Sequence, residues 1–250
     1  MEISNQNITV WFSCGAASAV AAKKTIELYG HSNTVTVVNN PVIEEHLDNV
    51  RFLKDVQDWL GQKIHISKNS KYPNCSAGEI FDKRKYMGGI AGAPCTQLLK
   101  KGARLEWEKT HDIDWHVLGF TYEEKSRSER FMFTERSNLI PVLIDLEITK
   151  NDCYNIITKA GLQLPEIYTL GYPNANCIGC VKATSPTYWN HVRKMHPETF
   201  EHRAQQSRRI GAKLVRVKNK RIYLDELKVT DKGRSMKSMN IDCGIFCEEK

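Results

Sequence analysis

Long apolar runs are missing from this 250-residue chain. No stretch approaches the ~18 residues that a membrane-spanning helix needs, so a transmembrane protein is excluded. Met1 to Asn7 is polar and carries no basic region ahead of its short apolar run, so no signal peptide is expected. The expectation is a cytoplasmic chain whose cysteines are reduced. Eight cysteines fall well short of the roughly 8–10% of a disulfide scaffold, which turns attention to thiol chemistry or metal binding. A second Cys-x2-Cys is absent, so one pair cannot complete a four-thiolate zinc site. There is no Walker-type Gly-Lys-Ser/Thr, no Gly-x-Gly-x-x-Gly, no RNP-like aromatic motif and no internal repeat.

Acidic residues are scarce in only one place. The chain has 36 Lys and Arg against 29 Asp and Glu, a net charge of +7. Twelve basic and four acidic residues lie between Glu201 and Asn240, and the remainder is close to neutral. A uniformly basic coating is therefore excluded. At 41% hydrophobic and 9% aromatic residues, the composition is that of a globular chain rather than a disordered one.

The first half alternates between two periodicities. Ile8 to Phe12, Thr34 to Val38, Ile64 to Ile66 and Trp115 to Leu118 read as short buried strands. Helical spacing links Ala19, Ala22, Ile26 and Tyr29, with Gly30 as the stop. It also links Leu47, Val50, Leu53, Val56 and Leu60 within a helix predicted over Glu44 to Leu60. This alternation predicts an α/β fold, a mainly parallel twisted sheet with helices on both faces. Ligands of such sheets bind outside the carboxyl ends of the strands. Further on, Leu139 to Ile144 predicts a strand, and Thr149-x-x-Asp152 a capping box opening a helix to Ala160. Leu164 to Thr184 predicts a loop. Ser185-Pro186 and Pro197 each open a helix, and Leu214 to Val217 with Arg221 to Leu224 form a hairpin around Asn219-Lys220.

After the first strand comes Ser13-Cys14-Gly15-Ala16-Ala17-Ser18, which runs directly into a helix. Small residues let a ligand approach the backbone, and a helix start offers N–H groups with a positive dipole end. This is either an anion cradle or a tight turn built of small residues. The segment resembles the modified PP-loop of the 3′-phosphoadenylyl sulfate (PAPS) reductase family, part of the adenine nucleotide α-hydrolase-like superfamily. ATP-splitting relatives usually read Ser-Gly-Gly-x-Asp-Ser here. Three more segments follow in the family's order. Gly119-Phe120-Thr121-Tyr122-Glu123-Glu124-Lys125-Ser126-Arg127 resembles its Gly-x-Arg-x-x-Glu-Ser motif. Pro141 to Asp145 with Thr149 to Ile157 resembles its Pro-Leu-x-Asp strand and helix. Leu164-Pro165 to Tyr172, leading to Cys177-Ile178-Gly179-Cys180, resembles its approach to a Cys-x-x-Cys.

The resemblance spans roughly residues 8 to 183 and implies a nucleotide-binding α/β domain over 1–184. A basic helical and hairpin extension (185–229) and a flexible cysteine-bearing tail (230–250) would follow it. It also implies adenine-nucleotide contacts from Ser13, Gly15, Ala16, Ala17, Ser18, Asn39, Gly119, Glu124, Ser126 and Arg127.

Cys177 and Cys180 lie at a spacing that suits a shared metal, part of an iron–sulfur cluster, a redox pair, or two small buried side chains. Cys95 sits at a helix start, where the dipole lowers a thiol's pKa. Its Cys-Thr-x-x-Leu-Lys segment resembles one found in several family members. The resemblance implies that Cys95, Cys177 and Cys180 hold three corners of a [4Fe–4S] cluster. Near the C-terminus, Asp242-Cys243-Gly244-Ile245 resembles the family's Glu-Cys-Gly-Ile/Leu-His tail, with Phe246 in place of His and an additional Cys247. By that resemblance Cys243 attacks the sulfur of the nucleotide and Cys247 resolves the product.

Arg208, Arg209, Lys213, Arg216 and Lys218 form a solvated face or a contact for phosphates or nucleic acid. Two enzyme readings follow. One is a PAPS reductase that works with a thioredoxin-like reductant and releases sulfite. The other is an ATP pyrophosphatase and sulfurtransferase that uses Mg and a cluster to thiolate a tRNA, DNA or small-molecule acceptor. A third is a non-catalytic nucleotide- or nucleic-acid-binding protein with a structural metal. A homodimer is compatible with all of them, and none involves a membrane.

Overall fold

A computed structural model describes residues 3–89 and 92–236. These residues form two compact units whose segments alternate along the chain. The first comprises the chain up to Pro41, Leu47–Lys68 and Ala103–Glu166. The second comprises Val42–His46, Asn69–Gly102 and the chain from Ile167 onward.

The first unit is the expected α/β core. Strands β1 (Asn7–Phe12), β2 (Thr34–Asn39), β3 (Ile64–Ile66) and β4 (Trp115–Val117) form one parallel sheet in the order β3-β2-β1-β4. Ile8 through Phe12 are buried without interruption, so both faces of β1 are covered. Helix α1 (Ala16–Tyr29) buries Ala16, Ser18, Ala19, Val20, Ala21 and Ala22, side chains small enough to bring it close to the sheet. Phe12 meets Phe52 of α2 (Asn49–Leu60), while Trp11, on the opposite face of β1, donates from Nε1 to His116 Nδ1 at 3.1 Å.

Two expectations fail in this unit. Helix α2 begins at Asn49 rather than Glu44, and Leu47 and Val50 are 85% and 75% exposed. Its buried face is Asn49, Phe52, Val56 and Leu60. The chain passes from the second unit to the first between His46 and Leu47, just before this start. The strand expected over Leu139–Ile144 shrinks to a single parallel bridge between Leu139 and His116. Pro141 lacks the N–H that would extend the ladder and instead opens a short helix over Val142–Asp145. The Thr149–Asp152 capping box does open the next helix, Lys150–Lys159.

The second unit is mainly helical. Ala77–Arg84, a π-helical stretch at Thr96–Gly102, Pro186–Met195 and Pro197–Ile210 pack around Tyr188 and Trp189, which are 2% and 0% exposed. The helix at Ala77–Arg84 has no counterpart among the elements expected from sequence, whereas the stretch at Thr96–Gly102 continues the helix start expected at Cys95. Glu44 reaches the first of these: its carboxylate accepts from Ser76 Oγ and from the amides of Ala77 and Gly78, at 2.7–3.0 Å. Glu45 forms a largely buried ion pair with Lys100 at 2.9 Å. The loop expected over Leu164–Thr184 contains one helical turn, Glu166–Thr169. Ser185 precedes its helix as expected but leaves it uncapped, because its hydroxyl donates to the Arg234 carbonyl. Strands Val215–Val217 and Lys220–Ile222 form the expected antiparallel hairpin, with the turn one residue earlier, at Lys218-Asn219.

Candidate functional site

The sheet order places the carboxyl ends of β1 and β4 side by side. The chain leaves β1 through α1 toward β2, while β4 lies on the other side of β1. This is the topological switch point at which parallel sheets open a crevice for ligands. Two loops border it, residues 13–18 after β1 and residues 118–124 after β4.

The first loop is held from within. Ser18 Oγ accepts from the Ser13 amide at 3.1 Å, lies 3.1 Å from Ser13 Oγ, and donates to the Gly15 carbonyl at 2.9 Å. Ser18 is 4% exposed, so it shapes the loop and its hydroxyl is not turned outward. Ser13 is exposed, and its hydroxyl can rotate toward a ligand. Gly15 stands at the N-cap of α1 and supplies no side-chain cap. The first turn of α1 also holds no acidic residue.

Asn39, expected as an adenosine contact, is 2% exposed. Its Nδ2 donates to the Phe12 carbonyl at 2.8 Å and to Cys14 Sγ at 3.5 Å. Cys14, which has no expected role in the sequence, makes the turn, buried and left-handed at φ 55°. That conformation costs a non-glycine residue roughly 1–2 kcal/mol, and the Asn39 hydrogen bonds offset part of it. The available signal was position, the middle of three residues between a strand end and a helix start.

The second loop presses on the first. A Cβ at Gly119 would lie 2.7 Å from the Ser18 amide nitrogen, 2.9 Å from Ser18 Cα and 3.0 Å from the Ala17 carbonyl carbon. Gly119 therefore serves the site by close approach of backbone to backbone. Thr121 and Glu124 close a capping box, and Glu124 pairs with Arg127, whose guanidinium lies 5.1 Å from the Phe120 ring centre. Ser126 is exposed on the first turn of the helix Lys125–Thr134. The Glu123 carboxylate accepts from the Lys150 amide at 3.1 and 3.2 Å. Burial opposes its ionisation, but hydrogen bonds from its own amide, Thr121 and Lys150 hold it below the ordinary carboxylate value. Burial lowers the Lys150 ammonium, against the pull of Glu124 and Glu123. On β4, burial and then the charges of Arg136 and Arg104 push His116 down to about 4. A neutral imidazole there accepts the Trp11 hydrogen bond.

In the second unit, Cys180 is buried, and Cys177 and Cys95 are half-buried against the same apolar core. Cys95 lies at the start of its helical stretch, as expected. Tyr188 organises the Cys-x-x-Cys loop: its hydroxyl accepts from the Cys180 amide at 2.8 Å and donates to the Cys177 carbonyl at 3.4 Å. Gly179 completes the turn at φ 69°. Among the described residues, no group of three or more His, Cys, Asp or Glu side chains is arranged to hold a metal ion. Cys243 and Cys247 lie outside the described residues.

The basic segment divides into two classes. Arg208 is bidentate with Asp225 (2.7 and 3.0 Å) and stacks 3.8 Å from the Tyr223 ring centre, while Arg209 pairs with Asp82 at 2.8 Å. Lys213 lies 5.4 Å from the same Tyr223 ring centre. Arg216 and Lys218 lie on the hairpin, are both exposed, and have no acidic partner among the described residues.

No helix among the described residues is long and apolar enough to cross a membrane. No protein-family model matches the chain, and no curated protein matches it. Among solved structures, the chain is similar to the U34-tRNA thiolase NcsA from Methanococcus maripaludis with its [4Fe-4S] cluster, at 12% identity and a TM-score of 0.46, over 99% of this chain and 82% of that one.

Proposed function

We propose that the chain is an adenine-nucleotide-dependent enzyme of the PP-loop type that performs sulfur chemistry on, or by way of, the bound nucleotide. The nucleotide lies across the carboxyl ends of β1 and β4, with phosphate or sulfate oxygens on Ser13 and the amides that open α1. The observation that carries this reading is the pairing of the uncapped α1 start with Gly119 at the switch point of the sheet. Anions are favoured there by the positive end of the helix dipole.

One form of this chemistry is the thiol-dependent reduction of a sulfonucleotide that the sequence resemblance implies. In this chemistry the Cys243 thiolate attacks the sulfur. The S–O bond to the nucleotide breaks, the adenine nucleotide leaves, and a cysteine S-sulfonate forms. A thiol of a thioredoxin-like reductant, or Cys247, then attacks the cysteine sulfur. Sulfite departs and a disulfide remains.

A second reading is an ATP pyrophosphatase that adenylates an acceptor before sulfur is delivered to it. The observation favouring it is the hairpin bearing cations without acidic partners among the described residues. Such a surface suits a nucleic-acid acceptor.

Protein purified anaerobically and assayed in parallel decides between them. Sulfite release from PAPS with thioredoxin, lost in Cys243→Ser, supports the first. Pyrophosphate release from ATP supports the second. Failure to bind or turn over either nucleotide refutes both.

A further inference from the structure

We propose that the hairpin Val215–Val217/Lys220–Ile222 and its turn form a binding surface for the phosphodiester backbone of a nucleic acid. The inference uses the second unit alone and deepens the second reading above, while its test does not depend on nucleotide binding.

Two local features work against the hairpin's own stability, and both place positive charge there. In the antiparallel register, Arg216 lies directly opposite Arg221. Like charges facing each other across a ladder destabilise it. Burial and then the facing Arg216 charge hold Arg221 below the ordinary guanidinium value. The two-residue turn has φ 43° at Lys218 and 66° at Asn219. Such a turn favours Asn and Gly at both positions, and Lys218 occupies the first at a conformational cost. Lys220 follows immediately and is exposed. Among the described residues, Arg216, Lys218 and Lys220 have no acidic partner, in contrast to Arg208 and Arg209 on the preceding helix.

Local rules broken together in one place, with a shared chemical result, mark a site built for a ligand. That ligand is an extended polyanion. Arg216 and Arg221 share one face of the ribbon, and Lys218 and Lys220 add charge at its tip. The hairpin itself is firmly seated: Val215 is fully buried, and the Arg216 amide donates to the Thr184 carbonyl at 2.9 Å. A lipid surface is the weaker fit, because the tip carries Lys218 and Asn219 and no apolar side chain to enter a bilayer.

Fluorescence anisotropy with labelled single-stranded RNA, single-stranded DNA and duplex DNA tests the proposal on the full chain. Four phosphate contacts predict a log K against log[salt] slope of about −3 for single strands and about −4 for a duplex. For a single strand, affinity then falls roughly 50- to 100-fold between 50 and 200 mM salt. The double variant Arg216→Thr/Arg221→Thr should reduce the slope by about 2. It should keep or raise the melting temperature, because it relieves the facing charges. Its affinity for adenine nucleotide should equal that of the wild type, which separates this surface from the loop at Ser13. The RNA and DNA arms identify which nucleic acid is preferred. No binding to any of the three at 50 mM salt would overturn the proposal. So would a double variant with unchanged slope, or tighter binding to phosphatidylserine vesicles than to any nucleic acid.

Discussion

Replacing Gly119 by alanine probes the candidate site at its tightest point. The added methyl would lie 2.7 Å from the Ser18 amide nitrogen and 2.9 Å from Ser18 Cα, against a comfortable separation of about 3.5–4.0 Å. Both neighbours are backbone, so no flexible side chain can yield. Either β4 or the start of α1 must move by roughly 0.5–1 Å, and overpacking of this kind typically costs about 1–3 kcal/mol. Movement of α1 would also stretch the 3.1 Å bond from the Ser13 amide to Ser18 Oγ, which fixes the loop. We expect Gly119→Ala to lower unfolding free energy by about 2 kcal/mol in urea titrations. Calorimetry should show nucleotide affinity weakened about tenfold, the equivalent of ~1.4 kcal/mol. Gly61→Ala is the control. Gly61 is left-handed at φ 71°, and a methyl group added there would meet nothing within 4 Å. Its stability should therefore drop by about 1 kcal/mol from backbone strain, with nucleotide affinity unchanged. A Gly119→Ala protein as stable as the wild type, with full affinity, would refute the close-approach argument.

Two further outcomes follow from the buried groups. His116 is held near 4 in the fold, below its ordinary 6.5, so its contribution to stability is complete above pH 6.5 and is lost as pH falls toward 4. The loss amounts to about 3 kcal/mol. In urea titrations from pH 7 to 4, His116→Gln, whose amide oxygen can still accept from Trp11, should lack this component; equal pH slopes would contradict it. Tyr188→Phe removes the hydroxyl that ties Cys180 to Cys177. Thiol titration with a disulfide reagent should then find Cys177 roughly 5- to 10-fold more reactive, as a hydrogen bond worth about 1 kcal/mol implies.

Much of the first unit was legible because strands buried on both faces leave a strong apolar signature and short helices begin at recognisable caps. Ile8–Phe12, Thr34–Val38 and Thr149-x-x-Asp152 are examples. The failures have separate causes: Pro141 ends the ladder after Leu139, and other positions depend on contacts distant in sequence. Leu47 and Val50 continue the spacing of α2 but lie at the junction, exposed. The helix at Ala77–Arg84 was not legible because part of its support comes from Glu44, more than thirty residues earlier. Within the candidate site, sequence located the loop but not the division of labour inside it. Ser13 faces solvent, whereas Ser18, Asn39 and Gly119 shape the loop through contacts that only the tertiary arrangement creates. The basic segment divides in the same way, since Asp225 and Asp82 engage Arg208 and Arg209.

The central claim is that an adenine nucleotide binds across β1 and β4 on the loop of Ser13. Its most direct test is titration calorimetry of wild-type protein and Ser13→Ala with ATP and with adenylyl sulfate. The account predicts one-to-one binding of at least one of them, weakened about 5- to 20-fold in the variant by loss of a hydrogen bond to a charged group. Wild-type protein that binds neither nucleotide, or a variant that binds as tightly as the wild type, would contradict it.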